Sequence, residues 1–97
     1  MIEISYNNVK IKYKYNVKTR NIKLIDSYKI NDKKIMMGII KQLPLILVNR
    51  SEKSCLREWV AHNRLYKLGL YKKDCVDTDF TMNESLFRRI CYWFLSL

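Results

Sequence analysis

The residues whose types could support acid–base or metal chemistry lie between positions 55 and 79. Glu58 and His62 stand four positions apart, on one face of a predicted helix, where the carboxylate could orient the imidazole for base catalysis or metal binding. A metalloprotease motif needs a second histidine, but His62 is the only histidine in the chain. Cys55 and Cys75 do not complete a zinc site at the usual spacings. We therefore interpret His62 as a helix-face residue hydrogen-bonded to its neighbours or to the aspartate-rich loop that follows, and we predict no metal and no cofactor.

A loop rich in carboxylates follows this helix. Asp74, Asp77 and Asp79 could bind Mg²⁺ or Ca²⁺, and a metal-dependent nuclease would use them together with His62 or a nearby lysine. The loop lacks the glycine and glutamate that an EF-hand needs, and we interpret its carboxylates as helix caps or partners of nearby arginines. Because the chain also lacks a Gly-x-Ser-x-Gly motif and a glycine-rich phosphate loop, we predict no catalytic residue. A small nuclease stays the alternative function.

Basic residues give the strongest functional pattern. The 97-residue chain has a formal net charge of +10, and its first half holds most of the excess. Such a charge favours polyanionic partners, namely nucleic acid, a nucleoprotein, an acidic protein or an anionic membrane surface. Lysine offers phosphate a point charge and reads no base, although lysine rows on strands also serve solubility and protect sheet edges. The predicted partner-binding residues are Lys10, Lys12, Lys14, Lys18, Arg20, Lys23 and Lys29.

A predicted antiparallel sheet must position these lysines. Residues 9–18 alternate strictly, with apolar side chains on one face and Lys10, Lys12 and Lys14 on the other. Residues 2–6 alternate in the same way, and Asn7-Asn8 suits a two-residue hairpin loop because asparagine tolerates positive φ. This loop predicts three pairs on the apolar face: Tyr6 with Val9, Ile4 with Ile11, and Ile2 with Tyr13.

A third strand is predicted over residues 22–30, after a turn at residues 18–21. A register that pairs Val17 with Ile22 places most apolar residues of this segment on the same face, but it sets Asp26 opposite Tyr13. Either the tyrosine hydroxyl satisfies this carboxylate or a bulge near Ile25 turns it away. The outer face of the resulting meander is a field of lysines.

Helices are predicted after the sheet. Asn31 or Asp32 caps a short helix that Pro44 stops, although Gly38 lies within it. Residues 45–48 are predicted as a short buried strand or an extended connector.

Two longer helices complete the predicted chain. The first begins near Ser51 or Ser54 and ends at Gly69 in a Schellman motif, with Leu70 packed on Leu65. The last begins with a capping box at residues 81–84. Its apolar stripe over residues 86–97 predicts a helix central to the core, whose end could face a partner or a second copy of the chain.

These elements predict an α+β fold in which an N-terminal three-stranded antiparallel β-meander packs against two or three α-helices. The length predicts a single domain over residues 1–97, with a strand-rich basic half at 1–48 and a helical half at 51–97. Cys55, Cys75 and Cys91 are odd in number and lack CxxC spacing, which favours reduced thiols in a cytoplasmic protein. We expect no signal peptide, no bilayer-spanning segment and no membrane partner.

Residues 55–97 resemble a group of known proteins. The stretches REWVAHNRLYKLGLY, VDTDF and ESLFRRICYWFLSL are similar to small, largely uncharacterised proteins of gut Firmicutes, their phages and mobile elements. The matching positions are Arg57, Ala61, His62, Asn63, Leu65, Tyr66, Leu68, Asp77, Asp79, Glu84 and Arg88 or Arg89. The chain departs from the group at Lys73-Asp74-Cys75, where Ser-His-Thr is frequent. The resemblance implies no particular activity, but it implies a phage or mobile-element setting, where compact inhibitors of host defence such as anti-CRISPR proteins are common.

Three functional hypotheses follow. The favoured one is a small non-enzymatic protein that engages nucleic acid or a host nucleoprotein through its basic sheet face, in the cytoplasm of a host bacterium. In the setting that the resemblance implies, an anti-CRISPR-like inhibitor is its specific form. The second hypothesis is the metal-dependent nuclease. The third is a structural, self-assembling protein, such as a homodimer joined through the C-terminal helix.

Overall fold

The computed structural model describes residues 1–69, 77–82, 90 and 94, which have a mixed α+β fold. One antiparallel sheet holds four strands in the order β1-β2-β3-β4, so the α+β prediction is confirmed and the prediction of three strands is wrong. The strands are β1 (Ile2–Tyr6), β2 (Val9–Asn16), β3 (Asn21–Ile25) and β4 (Thr78–Thr81). The described helices are α1 (Lys33–Ile40) and α2 (Glu52–Lys67), with 3₁₀ turns at Ser27–Lys29 and Leu45–Val48.

The first hairpin has the predicted register. Asn7 and Asn8 have φ values of 49° and 65°, the left-handed conformation that a tight hairpin turn requires. Ile4 and Ile11 are accordingly buried on the inner face of the sheet. The cross-strand pairs on this face are Tyr6 with Val9, Ile4 with Ile11, and Ile2 with Tyr13.

The second hairpin has a different register from the predicted one. Ile22 pairs with Tyr15 instead of Val17, which lies in the loop and is 75% exposed. β3 ends one residue before Asp26, which adopts a left-handed φ of 53°. Both predicted placements of Asp26, opposite Tyr13 or beside a bulge, are therefore wrong.

The side chain of Asn16 explains why β2 ends earlier than predicted. Its Oδ1 accepts hydrogen bonds from the backbone N–H groups of Lys18 (2.9 Å) and Thr19 (3.2 Å). The backbone N–H of Arg20 donates to the Asn16 carbonyl at 2.8 Å. These bonds fold the chain into a turn directly after Asn16, because an asparagine side chain can take the place of a backbone acceptor.

The fourth strand comes from the segment that was predicted as an acidic loop. β4 lies beside β3, with Phe80 opposite Ile22 and Thr78 opposite Leu24. Phe80 and Thr78 are 0% and 1% exposed, whereas Asp79 between them lies on the other face and is half-buried. The segment thus alternates with the period of a strand, and burial of Phe80 fixes which face turns inward.

Helix α1 begins as predicted, and a glycine within it allows close packing against β1. The carboxylate of Asp32 is the N-cap and accepts a hydrogen bond from the backbone N–H of Lys34 at 2.8 Å. The helix ends before Pro44. A Cβ atom on Gly38 would lie 2.5 Å from the ring of Tyr6, so the glycine provides the space in which this ring packs.

Helix α2 also begins and ends where the sequence predicts. The hydroxyl of Ser51 caps it by accepting from the backbone N–H of Ser54 at 3.1 Å. At the other end Gly69 has a φ of 74°, and its N–H donates to the Tyr66 carbonyl at 3.0 Å, as in a Schellman motif. The predicted packing of Leu70 lies outside the described residues.

Two predictions for apolar segments are wrong where the structure describes them. Leu45–Val48 is a 3₁₀ turn, so its prediction as a strand or extended connector is wrong. The last helix lies mostly outside the described residues. Ile90 and Phe94 are helical, but they are 57% and 69% exposed, so the prediction that they lie in the core is wrong.

The core lies between the inner face of the sheet and the two helices. Its buried apolar residues include Ile22, Leu24, Met36, Ile39, Ile40, Val48, Cys55, Trp59 and Phe80. In the described part of the chain, no helix combines the length and apolar character that crossing a bilayer requires.

Candidate nucleic-acid interface

The lysines of β2 lie on the outer face of the sheet, opposite the core. Ile11 and Tyr13 point inward and are 6% and 7% exposed. Lys10, Lys12 and Lys14 alternate with them and are exposed. We call the outward lysines of the two central strands the lysine face: Lys10, Lys12, Lys14 and Lys23.

Lys12 and Lys23 do not lie on an edge of the sheet. Residues 9–13 of β2 pair with β1 and residues 12–16 pair with β3, so Lys12 has a strand on each side, and Lys23 lies between β2 and β4. Lysines that prevent unwanted strand pairing are needed on edge strands, where backbone N–H and C=O groups are unpaired. Edge protection therefore does not explain Lys12 and Lys23, which leaves solubility or ligand binding for these two, whereas Lys10 is paired only with β1 and Lys14 only with β3.

Lys14 and Lys23 form a like-charge pair across the two central strands. They are direct cross-strand neighbours on the outer face. Cβ atoms of such neighbours lie about 4.5–5.5 Å apart, and side chains of like charge directly opposite each other destabilise a sheet. An oppositely charged pair at these positions would keep the surface soluble and stabilise the sheet as well.

Two carboxylates also reach the outer face, which the sequence predictions did not include. Glu3 on β1 is opposite Lys12, and Asp79 on β4 is opposite Lys23. The predicted register of the first hairpin already implied the position of Glu3. Asp79 could be placed only by recognising that the acidic segment forms β4.

The other three predicted binding residues lie outside the strands, at opposite ends of the sheet. Lys18 and Arg20 belong to the loop between β2 and β3, and both are exposed. The Nη1 of Arg20 lies 3.7 Å from the sulfur of Met82. Lys29 lies in the first 3₁₀ turn, where its Nζ is 3.4 Å from a carboxylate oxygen of Asp26. The structure thus brings Lys18 near Lys14 and Lys23, and Lys29 near Lys10 and Lys12, whereas the guanidinium of Arg20 lies beside Met82.

A shallow depression lies at the loop end of the β2–β3 hairpin. Its volume is about 460 Å³. Among the described residues that line it are three lysines and two asparagines, with no acidic side chain. We call the polar residues of this depression the hairpin-end site: Lys14, Asn16, Lys18, Asn21 and Lys23.

The tyrosines of β2 do not share the lysine face. Tyr13 is 7% exposed and Tyr15 is half-buried, and both point to the opposite side of the strand. Recognition of single-stranded bases usually requires aromatic rings beside the cations, so that bases can stack on them. The lysine face can therefore contact phosphates, but the tyrosines of this strand are not placed to stack bases.

The aspartates of the nuclease hypothesis have structural hydrogen bonds. Asp77 Oδ1 accepts from the backbone N–H of Asp26 at 2.8 Å, and Asp79 Oδ1 accepts from Asn21 Nδ2 at 2.6 Å. The first bond joins Asp77, the residue before β4, to Asp26, the residue after β3. The second bond joins Asp79 of β4 to Asn21 of β3. Asp74 lies outside the described residues. Within the residues that the structure describes, no group of three or more His, Cys, Asp or Glu side chains could hold a metal ion.

Glu58 is part of a buried ion pair that sequence patterns did not reveal. Glu58 is 3% exposed, and its Oε2 lies 3.7 Å from Arg50 Nη1. Arg50 also donates to the Thr81 carbonyl at 3.0 Å and to Ser54 Oγ at 2.7 Å, so it joins α2 to β4. His62 is half-buried on the same helix. The sequence signal for this ion pair is an arginine just before a helix that carries a glutamate on its inward face.

Comparisons with protein-family models, with curated proteins and with solved structures give no match to this chain. The resemblance of residues 55–97 to phage and mobile-element proteins stays a prediction. Function must therefore be argued from the charge and geometry of the described residues.

Proposed function

We propose that this protein is a non-enzymatic binding protein that contacts the phosphodiester backbone of nucleic acid through the lysine face. Lys18, Arg20 and Lys29 extend the contact at the two ends. Alternate residues of a strand lie about 6.6 Å apart, so the lysines of β2 form a row that can follow successive phosphates of one nucleic-acid strand. Because lysine contributes a point charge and no base-specific fork, this binding depends little on sequence.

The observation that carries this proposal is the Lys14–Lys23 pair on the two interior strands. The pair costs folding free energy, and Lys23 lies between two paired strands, where it has no role in protecting an edge. Side-chain arrangements that lower stability concentrate at functional sites, because the residues that bind a ligand are not the ones that would best stabilise the fold. A bound phosphate between two ammonium groups would convert their repulsion into two attractive contacts.

The resemblance of residues 55–97 gives the proposal a biological setting. In a phage or mobile element, the target would be nucleic acid of the host bacterium, either free or held in a host nucleoprotein. Occupying the phosphate-binding channel of such a nucleoprotein, or competing for its nucleic acid, would make the protein an anti-CRISPR-like inhibitor of host defence. Both forms use the same phosphate-contacting surface.

A matched pair of charge reversals tests the proposal. Lys12→Glu with Lys14→Glu should reduce affinity for nucleic acid by at least about tenfold at moderate salt, because two ammonium groups are replaced by carboxylates that repel phosphate. Lys34→Glu with Lys53→Glu is the control, since both residues are exposed in the first turns of helices, where glutamate is tolerated. Mobility-shift titration measures both. Unchanged binding by the first variant, or equal loss by both, would contradict the proposal.

A further inference from the structure

Resting on the proposed function, we infer that the hairpin-end site is the primary phosphate-binding site, and that the rest of the lysine face contributes little. The ligand is the phosphodiester backbone of one strand, a chemistry that single-stranded and duplex DNA and RNA share. Three observations support this assignment of the phosphate contacts.

The first observation is how charge is divided between the two ends of the sheet. The cations that line the depression at the loop end of the second hairpin are Lys14, Lys18 and Lys23, with Asp79 as the neighbouring acid. The cations at the other end are Lys10, Lys12 and Lys29, with Glu3 and Asp26 as neighbouring acids. The excess of positive charge is therefore larger at the hairpin end. Lys12 and Lys14, the adjoining cations of the two groups, lie about 6.6 Å apart along β2, within the Debye length of about 8 Å at physiological salt, so the two ends differ in net charge although their fields overlap.

The second observation is that the hairpin-end site offers donors to a ligand. Asn16 Oδ1 accepts two backbone N–H groups of the turn, which fixes the orientation of its side-chain amide. In the described part of the chain, no residue accepts a hydrogen bond from its Nδ2, so this amide can donate to a phosphate oxygen. The depression of about 460 Å³ thus combines three ammonium groups with an oriented N–H donor.

The third observation is that the loop is held in place before any ligand binds. The Thr19 hydroxyl donates to Asn21 Oδ1, and Asn21 Nδ2 donates to Asp79 Oδ1 at 2.6 Å. The N–H of Arg20 is bonded to the Asn16 carbonyl at 2.8 Å. Ordering a loop during binding reduces affinity, so a loop already fixed by these bonds retains more of the interaction free energy. The bond to Asn21 also engages Asp79, which among the described residues is the carboxylate next to the site.

Two triple variants with the same change in charge test the inference. The hairpin-end variant is Lys14→Gln, Lys18→Gln and Lys23→Gln, and the matched variant is Lys10→Gln, Lys12→Gln and Lys29→Gln. The probes are fluorescent single strands and duplexes of about 20 nucleotides, as DNA and as RNA, titrated across a salt series. The hairpin-end variant should reduce the slope of log K against log salt by about 2 for single strands, at about 0.7 per phosphate contact. The matched variant should reduce it by less than about 0.7.

The outcomes separate this inference from the proposed function. An equal loss by both triple variants would overturn the hairpin-end site and support binding along the whole lysine face. Unchanged binding by both variants would contradict the proposed function as well. The four probes show which nucleic acid supplies the backbone, and the ranking of the two variants should hold for each probe that binds.

Asn16→Asp is a single-residue test of the same site. A carboxylate at this position can accept the same two backbone hydrogen bonds, so the turn and the thermal unfolding temperature should be retained. It replaces the amide donor by a negative charge, and affinity should fall by about tenfold, the effect of losing about 1.4 kcal/mol. If the variant folds and binds like the wild type, the phosphate lies elsewhere and the inference is overturned.

Discussion

Charge reversal at Lys14 should stabilise the fold, while the same change two residues away at Lys12 should destabilise it. Lys14 is opposite Lys23, so Lys14→Glu replaces a like-charge pair by an attractive pair. Lys12 is opposite Glu3, so Lys12→Glu does the reverse. Both positions are exposed on the same face of β2, and both variants change the net charge equally. Strand propensity and overall charge therefore cancel in the comparison.

The magnitude follows from the cross-strand geometry. Directly opposed charges on a sheet contribute about 0.2–1 kcal/mol, and reversing one of them changes the sign of the contribution. We expect Lys14→Glu to raise the free energy of unfolding by about 0.5–1 kcal/mol and Lys12→Glu to lower it by a similar amount. For a domain of this size, about 1 kcal/mol corresponds to a shift of about 4–8 °C in Tm. The two variants should thus differ by several degrees.

Thermal and denaturant unfolding at low and high salt provide the assay. The two shifts should have opposite signs at low salt and should shrink together at about 1 M salt, where the Debye length is about 3 Å. If both variants are stabilised equally, relief of the overall positive charge explains the result, and the cross-strand reasoning is refuted. The double variant should be nearly neutral in stability, which makes it suitable for the binding test above.

Three further predictions concern the scaffold and the alternative function. Gly38→Ala should destabilise the protein, because its Cβ would lie 2.5 Å from the Tyr6 ring. In a Tyr6→Ala background the same change should stabilise α1 by up to about 1 kcal/mol. Denaturant unfolding of the wild type, the two single variants and the double variant measures both effects. Arg50→Met should cost about 3–5 kcal/mol, because it removes the guanidinium that pairs with the buried Glu58 carboxylate, and adding Glu58→Leu should restore much of the loss, again by denaturant unfolding. Purified protein with Mg²⁺ or Mn²⁺ should not cut nucleic acid in a gel assay; cleavage that Asp77→Asn abolishes would support a nuclease instead.

Elements with strong local signals could be predicted from the sequence. The first hairpin combines strict alternation with an Asn-Asn turn, and both signals specify one register. The helix starts at Asp32 and Ser51 and the stop at Gly69 are likewise set by local capping chemistry. In each case the residue that determines the structure lies within a few residues of the backbone whose conformation it sets.

Elements that depend on distant contacts could not be predicted in the same way. β4 is four residues long and contains an aspartate, a residue disfavoured in strands. Contacts with distant parts of the chain stabilise it, namely its pairing with β3, the burial of Phe80 and the hydrogen bond from Arg50 to the Thr81 carbonyl. The register of the second hairpin was missed because Val17 fits the apolar alternation, while the side chain of Asn16 already forms the turn.

The candidate site was predicted in part for the same reasons. Alternation alone indicated which lysines face outward. The hairpin-end site depends on the true register of β2 and β3, which brings Lys14 opposite Lys23, and on Asn16 as a turn residue. The acids that weaken the other end include Glu3, which the predicted hairpin already placed opposite Lys12.

The most direct test of the proposed function is the salt dependence of nucleic-acid binding by the wild-type protein. Between four and seven phosphate contacts predict a slope of log K against log salt of about −3 to −5 for single strands, at about 0.7 per contact. Affinity should also vary little with base sequence, because lysine contacts phosphates and not base edges. A slope in this range would support phosphate binding by the lysine face. Absence of binding at low salt, or binding whose affinity does not change with salt, would contradict it.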